Sequence, residues 1–273
     1  MGENLYQVSH RVLSRCIVWS VLTVSATCAE AVAQEPSDDS QWTFDAAVYG
    51  WLMATQGTLG LRGFDADIDN SFADTLKASD SLMAFMVHGE AWRDDIGIFL
   101  DIAYVDLGYD DIAVGPLRAD ASNDLAIVEI GGLYRFGRWP IGAAGQPGSW
   151  ALEGLGGLRY SYIDGEIDVV DGPSIERSKD WVDPFIGLRA VAELSPAWEV
   201  SLRGDIGGFG VGSDFTWQLA GLLGYRFPLF GADAKAVVGY RALSQDYKSG
   251  SGANRFKWDT TLHGPVLGLN FRF

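Results

Sequence analysis

Two groups of residues have the types and spacing to do chemistry. The first is His88 with Glu90, alternate residues of "MVHGEAWR". Side chains two apart share one face of a strand, and a carboxylate on that face can orient an imidazole as a general base. With Asp101 as a second carboxylate and Ser161 as nucleophile, the set would be that of a hydrolase acting on lipid or peptide. The second is "DADIDNSF", in which Asp65, Asp67 and Asp69 alternate. An EF-hand loop starting at Asp65 needs glycine at its sixth position and glutamate at its last. The sequence supplies Asn70 and Leu76 there, which argues against that loop. The spacing instead suits an extended segment with three carboxylates on one face. Its plain reading is a wet acidic edge that resists pairing with another chain. Its sharper reading is a weak divalent-cation site bridging lipopolysaccharide phosphates. No phosphate loop, dinucleotide fingerprint, HExxH or Cys/His cluster is present, so no cofactor is expected.

What these residues can do depends on the elements that hold them. His10, Arg11 and Arg15 precede the apolar run "CIVWSVLTVSATCA", about 14 residues long, and "AVA" stands before Gln34. This reads as a secretory signal peptide over residues 1–33, too short to span a membrane as a helix. Cys16 and Cys28 both lie inside it, so a processed chain has no disulfide or thiolate metal site. Removing 1–33 takes away Arg11, Arg15, Glu3 and Glu30, which leaves the net charge at −16. So acidic a chain is a poor partner for nucleic acid. Residues 34–41, "QEPSDDSQ", read as a short disordered lead-in, and 42–273 as one domain.

Within that domain, alternation dominates. Ten apolar/polar segments are expected at 42–54, 82–93, 96–108, 123–136, 149–163, 181–194, 197–208, 214–227, 233–243 and 257–273. Along each, one face is apolar and carries almost no charge. The other face carries Asp45, His88, Glu90, Asp101, Glu129, Arg135, Glu153, Arg159, Asp183, Arg189, Arg203, Asp205, Arg226 and Arg241. Acid and base nearly balance there, as expected of charges that must pair in a confined interior. Apolar residues facing lipid around a charged lumen give that pattern, because charge on a lipid face is costly. Aromatics on the apolar face sit at segment ends. Phe136, Trp150, Trp198, Phe227 and Phe273 lie at one level, and Tyr104, Tyr160, Tyr162, Phe215, Trp217 and Tyr240 at the other. The connectors alternate between short turns, such as Asp94-Asp95, and long acidic stretches, such as "YDDIAVGPLRADAS". The fold class expected is all-β: a closed antiparallel up-and-down transmembrane β-barrel of about ten strands, with eight or twelve as alternatives.

The stretches "YGWLMATQGTLGLRG", "DADIDNSFADTL" and "MVHGEAWRDDIGIFLDIAYVDLG" resemble the start of a family of small proteobacterial outer-membrane proteins. More loosely, the chain is similar to barrels of the OmpA-transmembrane and porin-like type. The C-terminal "GPVLGLNFRF" resembles the last strand of such barrels, whose terminal aromatic, here Phe273, is part of the signal read by the barrel-assembly machinery. The resemblance implies a bacterial outer-membrane barrel and assigns no catalytic residue. The role expected is a structural or surface protein or a narrow channel for small solutes, not an enzyme; the hydrolase is the alternative.

Overall fold

The computed structural model describes residues 41–61, 64–78, 80–114, 117–141, 148–169 and 174–273. The expected signal peptide, and the lead-in up to its last residue, lie outside the described residues. The elements are β1 (Thr43–Trp51), β2 (Ala54–Leu61), β3 (Phe64–Asn70), α1 (Phe72–Ala78), β4 (Ser81–Arg93), β5 (Ile96–Val114), β6 (Leu117–Pro140), β7 (Ser149–Val169), β8 (Ser174–Glu193), β9 (Trp198–Gly207), β10 (Phe215–Leu229), β11 (Ala232–Ser249) and β12 (Phe256–Arg272). No helix among the described residues is long and apolar enough to cross a membrane.

Ten of the strands, β1 and β4 to β12, close on themselves as an antiparallel barrel. Closure runs through β1, which pairs with β12 from Asp45↔Arg272 to Trp51↔Val266 and with β4 from Thr43↔Trp92 to Val48↔Val87. β2 carries the line of β1 further along β12, from His263↔Ala54 to Phe256↔Leu61. The ladder is interrupted between them where β12 presents Pro265, which has no N–H to give. There the Leu52 N–H donates to the Pro265 carbonyl at 2.9 Å. β3 folds back on β2 outside the closed wall, which makes twelve strands in the sheet. Ser71 caps α1: its Oγ accepts from the Asp74 N–H at 3.2 Å and bonds Asp74 Oδ2 at 2.6 Å. That hydrogen bond holds the Asp74 carboxyl below its ordinary pKa.

The ten expected segments coincide with the ten barrel strands, but several strands run much further than expected on the side of the long connectors. "YDDIAVGPLRADAS" continues the β5–β6 ladder to Val114↔Leu117, and "DGEIDVVDGPSIERSKD" continues β7–β8 to Asp168↔Ser174. Glycine, aspartate and proline mark turns locally, but a hairpin ladder already in register lower in the wall overrides that preference. Asp65, Asp67 and Asp69 likewise lie on a strand, β3, of an outer hairpin. The turns at Asp94-Asp95, at 194–197 and at Phe230-Gly231 share the opposite end of the barrel with the start of β1 and the end of β12.

Side-chain polarity reverses part-way up the wall. Below the belt of Tyr104, Tyr160 and Tyr162, outward residues are apolar and exposed, such as Ile98, Ile130, Ile186 and Leu202, while inward ones include Glu129, Arg159 and Asp205, all buried. Above that belt the outward row holds Asp106, Asp124 and Asp164, directly opposite one another across β5, β6 and β7. The inward row there is apolar: Val105, Leu125 and Ile163 pack against a buried cluster of Trp51, Met86, Ile127, Trp181, Leu243 and Trp258. The lower part has the polarity of a protein in lipid and the upper part that of a protein in water.

Candidate functional site: an ionic belt beneath an apolar cap

The inward side chains of the lower and middle wall meet as one network. Arg159 of β7 is its centre and is 0% exposed. Its Nε donates to Glu129 Oε1 at 2.8 Å, its Nη2 to Asp205 Oδ1 at 2.7 Å and its Nη1 to Thr216 Oγ1 at 3.2 Å. Glu129 also accepts from Arg203 Nη2 at 2.7 Å and Arg241 Nη2 at 3.1 Å. Arg241 reaches on to Asp101 at 2.9 Å and Gln218 at 2.7 Å, and its guanidinium lies 4.6 Å above the Trp51 ring. Asp101 accepts from Tyr49 Oη at 2.9 Å. Arg189 bridges Glu90 and Glu153, the latter at 2.7 Å, and Arg135 adds a second contact to Glu153 at 3.0 Å. Five guanidiniums (Arg135, Arg159, Arg189, Arg203, Arg241) thus face five carboxylates (Glu90, Asp101, Glu129, Glu153, Asp205). Removing charges from water is costly, and only multiple close hydrogen bonds offset it. The planar fork of arginine supplies several donors at once.

His88 sits in this belt with both ring nitrogens engaged, Nδ1 at 3.1 Å from Asp101 and Nε2 at 2.9 Å from Glu90. Ser161 is not beside it: buried higher in the lumen, its Oγ accepts from Gln245 Nε2 at 2.8 Å. Asp183 points inward, and its hydrogen bonds come from Ser213 and Trp181 rather than from an arginine. It accepts from the Ser213 N–H at 2.6 Å, Ser213 Oγ at 2.7 Å and Trp181 Nε1 at 3.1 Å, tying down the β9–β10 connection. Arg226 and Asp45 lie near the mouth at the short-turn end, Arg226 on Glu193 and Glu199 and Asp45 on Arg272 at 3.1 Å. Lys235 adds a contact to Glu199 at 2.7 Å. Glu193, Glu199, Gln218, Lys235 and Arg272 stand on the polar faces of their segments by alternation and join the network there. Tyr49 and Thr216 were not expected in it, because neither carries a charge to mark it.

Beneath the belt is a cavity of about 390 Å³, lined among others by Asp45, Glu193, Glu199, Arg226, Lys235 and Arg272. Above it the apolar cap fills the lumen, with Ile127 and Leu243 each 0% exposed and Trp181 stacked on Tyr247 at 4.3 Å. On the outer hairpin, Asp69 accepts from Gln56 at 3.1 Å, Asp67 from Thr58 at 3.2 Å, and Asp65 pairs with Arg255 at 3.0 Å. Among the described residues no group of three or more His, Cys, Asp or Glu side chains is placed to hold a metal ion.

A closed antiparallel wall, an apolar outer band bounded by aromatics, a polar interior and both ends of the barrel on the short-turn side define a transmembrane β-barrel of the bacterial outer membrane. No protein-family model and no curated protein matches the chain. Solved structures similar to it are outer-membrane barrels. Ail, the attachment invasion locus protein of Yersinia pestis, in complex with the heparin analogue sucrose octasulfate, is 12% identical, with 86% of this chain and 100% of that one covered and a TM-score of 0.37. The translocator domain of the autotransporter NalP from Neisseria meningitidis is 14% identical over 96% of this chain and 98% of that one, at 0.38. Neisserial surface protein A is 11% identical over 86% and 100%, at 0.27. At scores this low the assignment to the class rests on this chain's own register and polarity.

Proposed function

We propose that this barrel is a structural surface protein whose lumen is closed, and that it presents acidic hairpins at the cell exterior. The observation that carries this reading is Arg241 of β11, which reaches across the lumen to Glu129 of β6 at 3.1 Å and Asp101 of β5 at 2.9 Å, beside the fully buried Arg159 and beneath the apolar cap. A solute crossing the barrel would have to break several charge-assisted hydrogen bonds in a low-dielectric space and then part a packed core. The narrow-channel reading has only the cavity beneath the belt in its favour, and that cavity stops at the belt. The reading includes no catalysis: both nitrogens of His88 are engaged by carboxylates, which leaves none to accept a proton from Ser161. Its partners are lipid and lipopolysaccharide around the wall, and the barrel-assembly machinery acting on β12 and the exposed Phe273. Divalent cations are not part of the proposal, because Asp65, Asp67 and Asp69 already accept hydrogen bonds from protein donors.

Planar-bilayer recording of the refolded protein tests it. Silence across a wide voltage range is expected, and unitary conductance from the wild-type barrel would overturn it.

A further inference from the structure

The cavity of about 390 Å³ beneath the ionic belt opens at the short-turn end of the barrel, toward the periplasm. Its size is that of a small-molecule site. Charge in its lining nearly balances, so the group left without a partner decides what it can hold. Asp45, Glu90, Asp101, Glu153, Glu193 and Glu199 each accept from an arginine or lysine at 3.1 Å or less. A cation entering the cavity would have to compete for carboxylates already engaged. Arg138 is the converse case. Among the described residues it donates no hydrogen bond. Glu193 senses its charge but gives its oxygens to Arg226 at 3.0 Å and Ser149 at 3.2 Å. The one acid of the lining with no such partner, Asp94, stands in the exposed β4–β5 turn at the rim.

Arg138 faces inward for a local reason. Tyr134 and Phe136 point outward, 53% and 56% exposed, and plain alternation would send Arg138 after them. A β-bulge between Arg135 and Gly137 shifts the register. Arg138 then lies opposite the inward Ala151, and Trp139 opposite the outward Trp150. Bulges re-aim side chains in this way. The wall of β10 to β12 stands on the far side of the lumen. Between the level of Arg241 and that of Lys235 it presents Ala220, Leu222, Val237 and Val266 to the cavity, and no charge. One side thus supplies a free guanidinium and the other an apolar surface.

We propose that this cavity binds a small organic monocarboxylate from the periplasm, with its carboxylate on Arg138 and its apolar body against Leu222, Val237 and Val266. The planar fork of arginine matches a carboxylate with two parallel hydrogen bonds. A small inorganic anion would leave the apolar wall in water, and a neutral apolar solute would leave the guanidinium unused.

The test is a fluorine NMR titration of para-fluorobenzoate with the refolded barrel in phosphatidylcholine nanodiscs, empty nanodiscs serving as the blank. Para-fluorobenzylammonium offers the same ring with the opposite charge. Saturable line broadening is expected for the benzoate and not for the ammonium. Arg138→Gln should weaken binding about tenfold, through loss of a charge-assisted contact. Arg138→Lys keeps the charge without the fork and should weaken it less. Val237→Phe puts a ring into the cavity from between Gly224 and Gly268, and should weaken binding as much as Arg138→Gln. Asp94→Asn should leave binding equal or tighter. Arg138 and Asp94 are both exposed, so their variants disturb no buried packing and should keep the heat-dependent gel shift of a folded barrel. No saturable binding of the benzoate, equal binding of the ammonium, an affinity that Arg138→Gln does not lower, or weaker binding in Asp94→Asn would each overturn the proposal.

Discussion

The barrel has a lower and an upper part that share the same strands and the same alternation but differ in what the alternation means. Below the tyrosine belt, outward means apolar and inward means charged; above it, Asp106, Asp124 and Asp164 face out while Val105, Leu125 and Ile163 face in. The physical cause is the outer solvent. Hydrocarbon excludes charge from the lower wall, so polar side chains are driven inward and must pair there. Water surrounds the upper wall, so the ordinary hydrophobic effect operates and apolar side chains collect inside. The lumen is consequently filled in two ways, by hydrogen-bonded charge below and by close packing above. The two should respond differently to mutation.

The largest effect is expected in the ionic belt. Arg159→Ala leaves Glu129 and Asp205 with fewer donors in a site from which water is excluded, and should cost about 3–5 kcal/mol of stability. Urea unfolding in vesicles, followed by tryptophan emission, measures it. A loss of a few tenths would mean that the belt is wet and its charges screened. The cap should lose somewhat less: Leu243→Ala deletes fully buried methyl groups and should cost about 2–5 kcal/mol, the upper figure only if the site cannot relax. The two variants also separate by chemistry. Arg159→Met restores volume without charge but still strands the carboxylates, whereas Leu243→Met should be nearly neutral.

This contrast also shows why some of the molecule was legible in the sequence and some was not. The ten membrane segments could be read because hydrocarbon enforces a strict rule: Ile98, Leu100 and Ile102 cannot change places with Asp101. The inward charges from Glu90 to Arg241 were visible for the same reason. The upper strands were hidden because Asp, Gly and Pro in "YDDIAVGPLRADAS" are turn formers, and what holds them extended is the continuation of the β5–β6 ladder from below, with β7 alongside β6. The apolar cap was hidden because Ile127 lies between Ala126 and Val128, and Trp181 beside Val182, so both faces are apolar near the crossover and parity is lost. The partition of the ionic network into pairs was not legible at all. Arg189 meets Glu90, 99 positions away, only because the barrel closes.

A matched pair of outward substitutions sharpens the position of the reversal. Ile130 faces lipid and is 58% exposed. Ile130→Arg should cost about 2–4 kcal/mol, since it puts a charge into the hydrocarbon zone. Ser122 lies on the same strand and the same face, eight residues earlier and above the tyrosines. Ser122→Arg should change stability by no more than about 0.5 kcal/mol, as for an ordinary wet surface. The two are compared by unfolding in vesicles of one composition. Equal penalties would place the hydrocarbon boundary above Ser122 and remove the distinction between the two parts.

The smallest effect tests the upper wall's outer face. Asp124 lies directly opposite Asp106 on one side and Asp164 on the other, and like charges in that relation repel. In hydrocarbon such a row could not persist; in water it is screened and costs little. Asp124→Asn keeps the shape and removes the central charge, so it should stabilise the barrel by about 0.5 kcal/mol at low salt. The gain should shrink as salt is raised toward 1 M, where charges are screened within about 3 Å. Destabilisation by Asp124→Asn would show that the row is held together by a bound counter-charge, and that the upper wall is more than a solvated face.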